Sequence, residues 1–496
     1  MAKRLLALLL TIALLLLATS ALSENLFAEP VELIWYGNGV AGDNERVLAE
    51  MNAILKERYN TTIKAYYIGW TDWQSQYNLL LTSGEEIDVM YVNTYIYSRY
   101  APSGAFTNLK DLFPKAMPET YQYFSEADLN EITVNGGIYA VPSSMRSLIP
   151  YGVLYRSDLM EKYSLEKIAS METFEAYMDA IVANEPELMP YNGNPSDMFL
   201  RMFRAYNKFD VIAGDSASIV NIADYDDISS IAAYPMTEEY LAWAHRMKDY
   251  AERGYWSSNA LSSTLSTFDT LQAGASATSI ENPDGVAKLI TTIAPMYPSH
   301  TFDYWSFSDL AGYSLPNPVL MDSFAVPISS KNPERALAII EAIKADQDLY
   351  DLWMYGTRGY HYELTEDGKL ITPAPGQDAS VSYNASSLGW AMRVESRNRA
   401  NAKDWEGLPA LQAYVKDKAI PNKYGAISLD YSGVQSELAA VNQVVQQYGL
   451  PINVGLVSDV DAAVTEYRAK LIEAGVERVV AAISEQVAAY CAEKGI

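Results

Sequence analysis

The feature that most constrains this chain is an alternation of strand and helix patterns near its start. Val31-Glu32-Leu33-Ile34-Trp35 reads as a strand. Gly37, Gly39 and Gly42 break it, and Asp43 or Asn44 is expected to cap the helix that follows. That helix puts Val47, Leu48, Met51, Ile54 and Leu55 on one face. A second strand is expected at 62–68, a helix at 72–81 ended by Ser83-Gly84, and a short buried strand at 87–92. Strand, helix, strand, helix, strand with short links is the pattern of an α/β fold on a parallel sheet.

The same reading continues along the chain. Ile138–Pro142, Tyr151–Tyr155, Gly274–Ile280 and Asp322–Ile328 read as extended, and 158–275 is mostly helical. Asn332-Pro333-Glu334 supplies a capping residue, a proline at the first helical position and an acid in the first turn. Ala336, Ile339, Ile340 and Ile343 form that helix's apolar face. Two amphipathic helices close the chain. One buries Val460, Val464, Tyr467 and Leu471 and stops at Gly475; the other buries Val480, Ile483, Val487 and Tyr490. A chain of 496 residues suggests two or three domains, and no linker or repeat separates them.

Residues 1–23 read as an address. Lys3 and Arg4 precede an apolar run from Leu5 to Ala18, and small residues follow at Ala21 and Ser23. This is a secretory signal, with an apolar run too short for the ~20 residues that span a bilayer. Removing Lys3 and Arg4 with it moves the net charge from −26 to −28. Such a surface repels phosphate backbones, so no nucleic-acid partner is expected and an anionic membrane is a poor one. The expected location is outside the cytoplasmic membrane, periplasmic or associated with the cell surface. The single cysteine, Cys491, excludes an intramolecular disulfide and a cysteine-based metal cluster. A lipoprotein needs a cysteine just after the apolar run, and Glu24 and its neighbours offer none.

Chemistry is sparse. His245, His300 and His361 share no metal-binding spacing, and no nucleophile elbow, phosphate loop or dinucleotide fingerprint is present. No cofactor and no metal are expected. The 62 acids leave room for a glycosidase carboxylate pair that sequence cannot locate. More informative are aromatic residues beside polar ones at strand ends: Trp35-Tyr36, Trp70-Thr71-Asp72-Trp73 and Asn93-Thr94-Tyr95. Ligands bind beyond the carboxyl ends of strands in open parallel sheets. A ring face suits the C–H face of a sugar, and neighbouring Asp, Asn and Arg suit its hydroxyls. The 37 tyrosines against 12 phenylalanines favour surfaces of that kind. The same clusters are equally compatible with packing under their own loops.

Several stretches, in order, resemble the extracellular solute-binding proteins of ABC importers, in the class that binds sugars and oligosaccharides. They are Trp70–Leu79 followed by Thr82–Val89, then Gly104–Leu109, Gly137–Pro142, Tyr155–Leu159 and Ser329–Ala336. From Tyr424-Gly425 through Ala474-Gly475-Val476 and Gln486 the chain resembles a C-terminal domain of unknown function from a lipoprotein branch of that family. The branch usually carries a lipobox cysteine, which is absent here.

The resemblance implies a two-lobed periplasmic-binding-protein-like fold of type II, with interwoven lobes. Its implied boundaries are lobe 1 at 24–145 and 277–328, and lobe 2 at 146–276 and 329–496. Hinge crossings are expected near 142–146, 277–281 and 327–329. It implies capture of a carbohydrate in an interlobe cleft, without catalysis, by a monomer that delivers it to an ABC permease. The readings kept beside it are a secreted glycoside hydrolase and an extracellular peptide or glycan adhesin. Tyr95 matches an aromatic that lines the cleft in the family. Trp390 resembles a second-lobe tryptophan platform, although the Gly-Asn-Gln usually near it is missing. Glu281 and Asn282 fall at an expected crossing. Tyr36, Trp70, Asp72, Arg146 and Trp305 are added from strand ends and hinges.

Overall fold

The computed structural model describes residues 26–496 except 41, 72, 147, 149, 213–218, 379 and 428. The expected signal segment therefore lies outside the described residues, as does Asp72. The chain divides into two compact units, one made of residues 1–146 and 318–402, the other of 147–317 and 403–496. In chain order the strands of the main sheets are β1 (Val31–Asn38), β2 (Thr61–Ile68), β3 (Val89–Val92) and β4 (Ala140–Pro142) in the first unit. The second unit holds β5 (Gly152–Arg156), β6 (Met189–Tyr191), β7 (Ser276–Glu281) and β8 (Phe302–Ser306). The chain then returns to the first unit as β9 (Ser323–Ala325).

In the first unit the sheet order is β2-β1-β3-β9-β4. The three N-terminal strands are parallel, with Tyr36 beside Tyr66 and Met90. β9 runs antiparallel to both β3 and β4. The Asn44–Tyr59 helix covers this sheet with Val47, Met51 and Leu55. Asp43 precedes it in a left-handed conformation and makes no side-chain cap. Its carboxylate instead meets Arg46 and the buried His361, each at 3.0 Å. The Pro333–Ala345 helix buries Ala336, Ile339, Ile340 and Ile343 in the same core as Leu33 and Trp35. Trp35 lies 5.1 Å from Trp353 and 5.6 Å from Phe324, ring to ring.

A buried carboxylate ties these elements together. Asp88 is fully buried. Its Oδ2 accepts the Ile34 N–H of β1 at 2.9 Å, and its own N–H donates to Ile34 O. Its Oδ1 accepts from Ser330 Oγ at 2.7 Å and Asn332 Nδ2 at 3.3 Å. Lys331 bonds to Glu86 just outside. Asn332 thus spends its side chain on Asp88 rather than on capping its helix. Two segments that carry the family resemblance, 82–89 and 329–336, are therefore the two sides of one hydrogen-bonded junction.

The second unit's sheet has the order β8-β5-β7-β6. β7 is antiparallel to β5 and parallel to β6. Here the expected boundaries are corrected. Residues 277–317 stay in the second unit, because β7 sits between β5 and β6. Residues 329–402 stay in the first, because the Pro333–Ala345 helix packs against Trp35. The divisions fall at 317/318 and 402/403, not near 277–281 or 327–329. A short apolar strand looks the same in sequence whichever sheet receives it.

The C-terminal helices Val460–Glu473 and Val476–Lys494 belong to the second unit. The first buries the four expected residues. The second buries Val476, Val479, Ile483, Val487 and Cys491, leaving Val480 and Tyr490 half-buried. Among the described residues no helix is long and apolar enough to cross a membrane.

Candidate functional site

The carboxyl ends of β1, β2 and β3 lie at one edge of the first unit's sheet, because the three strands are parallel. Beyond them stands a connected set of rings. Trp70 and Trp390 are stacked, 5.8 Å apart and 17° from parallel. Trp73 meets Trp70 edge-on at 6.2 Å and Tyr95 edge-on at 5.7 Å. Tyr91 meets the other indole, Trp390, at 6.3 Å. Trp70 is 43% exposed and Tyr95 42% exposed. These two therefore offer apolar ring surface to solvent and are linked through Trp73, and adjoining exposed apolar groups mark contact sites.

Local geometry explains how Trp390 reaches Trp70. The Ser386–Met392 helix is anchored on the end of β1: Asn38 N donates to Ser387 Oγ at 2.6 Å, and Ser386 Oγ donates to Asn38 O at 2.7 Å. Glycine at 37 permits the approach, since a Cβ there would stand 2.7 Å from Leu388 Cγ. Gly39 has φ +96°, and a Cβ there would meet Ser386 Oγ at 2.1 Å and Trp70 Nε1 at 3.1 Å. Gly39→Ala is therefore expected to cost about 1–3 kcal/mol and to disturb the indole stack. Thermal melting with near-ultraviolet circular dichroism checks both; an unchanged aromatic spectrum would contradict the second.

Polar groups line the same edge. Asn93 caps the Thr94–Tyr100 helix through the Ile96 N–H, which points that segment's first turn at the edge. Arg99 donates to the Tyr95 hydroxyl at 2.9 Å. Asn38 is fully buried; its Oδ1 accepts from the Tyr77 hydroxyl, while its Nδ2 has no partner among the described residues. Asp322 accepts the Tyr91 hydroxyl at 2.9 Å, and burial pushes its carboxyl above the usual range.

The remaining expected site residues are dispersed. Tyr36 stacks on Tyr66 at 5.1 Å, one strand from the indoles, and burial raises its phenol. Arg146 is paired with Asp128 and Glu131, each at 3.0 Å, so its charge is spent locally. In the second unit Glu281 ends β7, accepts from Ser279 Oγ at 2.6 Å, and is pushed up by burial. Asn282 caps the Pro283–Ile293 helix by accepting the Gly285 N–H at 3.0 Å. Trp305 is corrected outright. It is 2% exposed and packs on Phe174 and Phe307 in the second unit's core, where it offers no free face. Trp390 was expected in the second lobe; it stands in the first unit, because its helix docks on β1.

Sequence reasoning missed Trp73 as a separate contributor, and Asn38. The first had a signal in its spacing: Trp70 ends the loop, and three residues on Trp73 opens the Trp73–Ser83 helix. Asn38 had only its position at a strand end. Among the described residues no group of three metal-ligating side chains occurs.

Known proteins place this arrangement. The family model for bacterial extracellular solute-binding proteins matches residues 41–348, and that for a domain of unknown function (DUF3502) matches 426–492. A carbohydrate ABC transporter substrate-binding protein of Streptococcus pneumoniae serotype 4 is 24% identical over 456 residues, covering 89% of this chain and 87% of that one. The crystal structure of the N-glycan transport solute binding protein NgtS from Streptococcus pneumoniae superposes with a TM-score of 0.76 at 21% identity, covering 94% of this chain and all of that one. The alginate-binding protein AlgQ2 without calcium ion gives 0.63 at 15% identity, covering 93% and 98%. The expected two-lobed α/β class is the fold of these structures. With its family match running through more than half of its length, from the first unit's leading helix to the helix beyond β9, this chain belongs to the bacterial extracellular solute-binding protein family.

Proposed function

We propose that this protein captures a carbohydrate, specifically an oligosaccharide, outside the cytoplasmic membrane and hands it unchanged to an ABC permease. The observation that carries this reading is the ring set at the carboxyl ends of three parallel strands, with Trp70 and Tyr95 exposed, Trp390 half-buried against Trp70, and Trp73 between Trp70 and Tyr95. Aromatic faces stack on the C–H faces of sugars, and the tyrosine hydroxyl and arginine at one end offer hydrogen bonds to sugar hydroxyls. The relative's name supports the class of ligand, and NgtS has been crystallised with Man1GlcNAc and with Man5GlcNAc. Those two complexes superpose with TM-scores of 0.61 and 0.58. Trp70, Tyr95 and Trp390 are proposed as the stacking residues. Arg146, Asn282 and Trp305 are left out of the site for the reasons given above.

A glycan panel read by thermal shift tests the proposal, because a ligand that binds only the native state raises the melting temperature. The panel includes Man1GlcNAc and Man5GlcNAc. At least one oligosaccharide is expected to raise it and to be recovered intact. Trp390→Ala is expected to weaken that glycan by ~10- to 100-fold, or ~1–3 kcal/mol, by calorimetry. Steady turnover of the glycan would overturn the reading, and so would unchanged affinity in Trp390→Ala. The wider proposal, delivery to a permease by a secreted monomer, predicts loss of glycan uptake on deletion and sedimentation as one chain.

A further inference from the structure

The helix that carries Trp390 is held at both ends. Its first turn is bonded to Asn38 of β1, as described. At its other end Lys344, reaching from the Pro333–Ala345 helix, donates from Nζ to Ala391 O at 3.2 Å. Ala391 is the residue directly after Trp390. Lys344 is 2% exposed, on the helix whose Ile340 and Ile343 share an apolar core with Ala391 and Met392. A cation at a helix carboxyl end stabilises the last carbonyls. A buried ammonium without an ion-pair partner, however, is costly.

No carboxylate pairs with Lys344 among the described residues. Glu341, one turn earlier on the same helix, is the acid that acts on it. Its carboxylate is already engaged by the Glu119 N–H at 2.7 Å, the Thr120 N–H and the Thr120 hydroxyl. The Ser386–Met392 helix has no ionisable side chain. From the neighbouring short helices at 113–121 come Lys115 and Glu119, both exposed, and the half-buried Tyr121. From the Gln347–Tyr355 helix come the exposed Asp348, Asp351 held by Arg399 at 2.7 Å, Tyr350, whose hydroxyl accepts the Val394 N–H at 3.0 Å, and Tyr355, whose hydroxyl accepts the Arg399 N–H at 2.8 Å. Burial pushes the Lys344 ammonium down to about 7.

We infer that Lys344 is a positioning residue for Trp390: protonated, it pins the last turn of the platform helix through Ala391 O, and on losing its proton it lets the indole relax. Ligand affinity at the aromatic surface then falls as pH rises through neutrality, a consequence that rests on the carbohydrate-binding reading. A neutral amine donates more weakly than an ammonium and carries no charge to set against the helix end.

The test has a ligand-free arm and a ligand arm, both on the full mature chain. In the first, tryptophan emission is followed from pH 5.5 to 9 in the wild type and in Trp390→Phe, and the difference isolates Trp390. One titration near neutrality is expected. It should vanish in Lys344→Met and move to lower pH in Glu341→Gln, where the acid that favours the ammonium is gone. Persistence of the same titration in Lys344→Met overturns the inference. In the second arm, Man5GlcNAc is the probe, and its affinity is expected to be roughly three- to tenfold weaker at pH 8.5 than at pH 6, with a flat profile in Lys344→Met. If the emission titrates as expected while Man5GlcNAc binds equally well at both pH values and to Trp390→Phe, the positioning role stands and the coupling to ligand is overturned. If no glycan in the panel binds at all, the emission arm still decides the role of Lys344.

Discussion

Replacing Asp88 with alanine is expected to lower stability by about 3–5 kcal/mol, because three hydrogen bonds to one carboxylate, at about 1.5 kcal/mol each, are lost together. The carboxylate is fully buried and holds the Ile34 N–H, Ser330 Oγ and Asn332 Nδ2. Alanine leaves the half-buried Ile34 N–H, Ser330 Oγ and Asn332 Nδ2 without their common acceptor. It also frees the entry to the Pro333–Ala345 helix, so the loss should appear in denaturant melts and in faster amide exchange on β1 and in that helix. Asp88→Asn keeps one acceptor oxygen and should lose less. A cost below about 1 kcal/mol for alanine would mean that apolar packing alone holds β1, β3 and the helix together.

Lys344→Met is expected to act in the opposite direction and to stabilise the chain by about 1–4 kcal/mol at pH 6, because a well-packed apolar side chain replaces a buried charge. The folded protein holds this ammonium at about 7, against an ordinary lysine value of 10.5. Below pH 7 the group is charged in both folded and unfolded chains, and the native state bears the full cost of burying it. Between pH 7 and 10.5 the native group is neutral while the unfolded one still binds a proton. Over that window stability of the wild type rises relative to the variant, by up to ~1.4 kcal/mol per pH unit for this one group. The advantage of methionine should therefore be largest below pH 7 and shrink toward pH 10. Melting of both proteins from pH 5 to 10 measures it; a difference independent of pH would show that Lys344 stays ionised throughout.

The two substitutions separate structural strength from function. Asp88 sits at the junction of two of the segments that carry the family resemblance, yet none of its hydrogen bonds goes to the exposed rings. Its role explains why such segments are recognisable: a buried carboxylate needs a specific backbone N–H, a hydroxyl and an amide in fixed places. The Lys344 contact, by contrast, joins a general apolar helix to the helix that presents Trp390. Any lysine in an amphipathic helix looks solvated in sequence, and only packing reveals that this one is not.

The sequence by itself determined the elements whose evidence is periodic. The apolar faces at Val47, Met51 and Leu55, at Ala336, Ile339, Ile340 and Ile343, and at Val460, Val464, Tyr467 and Leu471 are buried as their spacing requires. Helical and strand periods are properties of neighbouring residues, so a linear reading can detect them. It also singled out Trp70 and Tyr95, because parallel strands bring their carboxyl ends to one edge. Tertiary structure alone decided the rest. It put β7 between β5 and β6, moved Trp390 into the first unit and onto Trp70, buried Trp305 against Phe174, paired Arg146 with Asp128, and engaged Asn332 with Asp88. Each of those outcomes is set by partners distant along the chain, and the free energy of an indole or a carboxylate depends on what surrounds it, not on its neighbours in sequence.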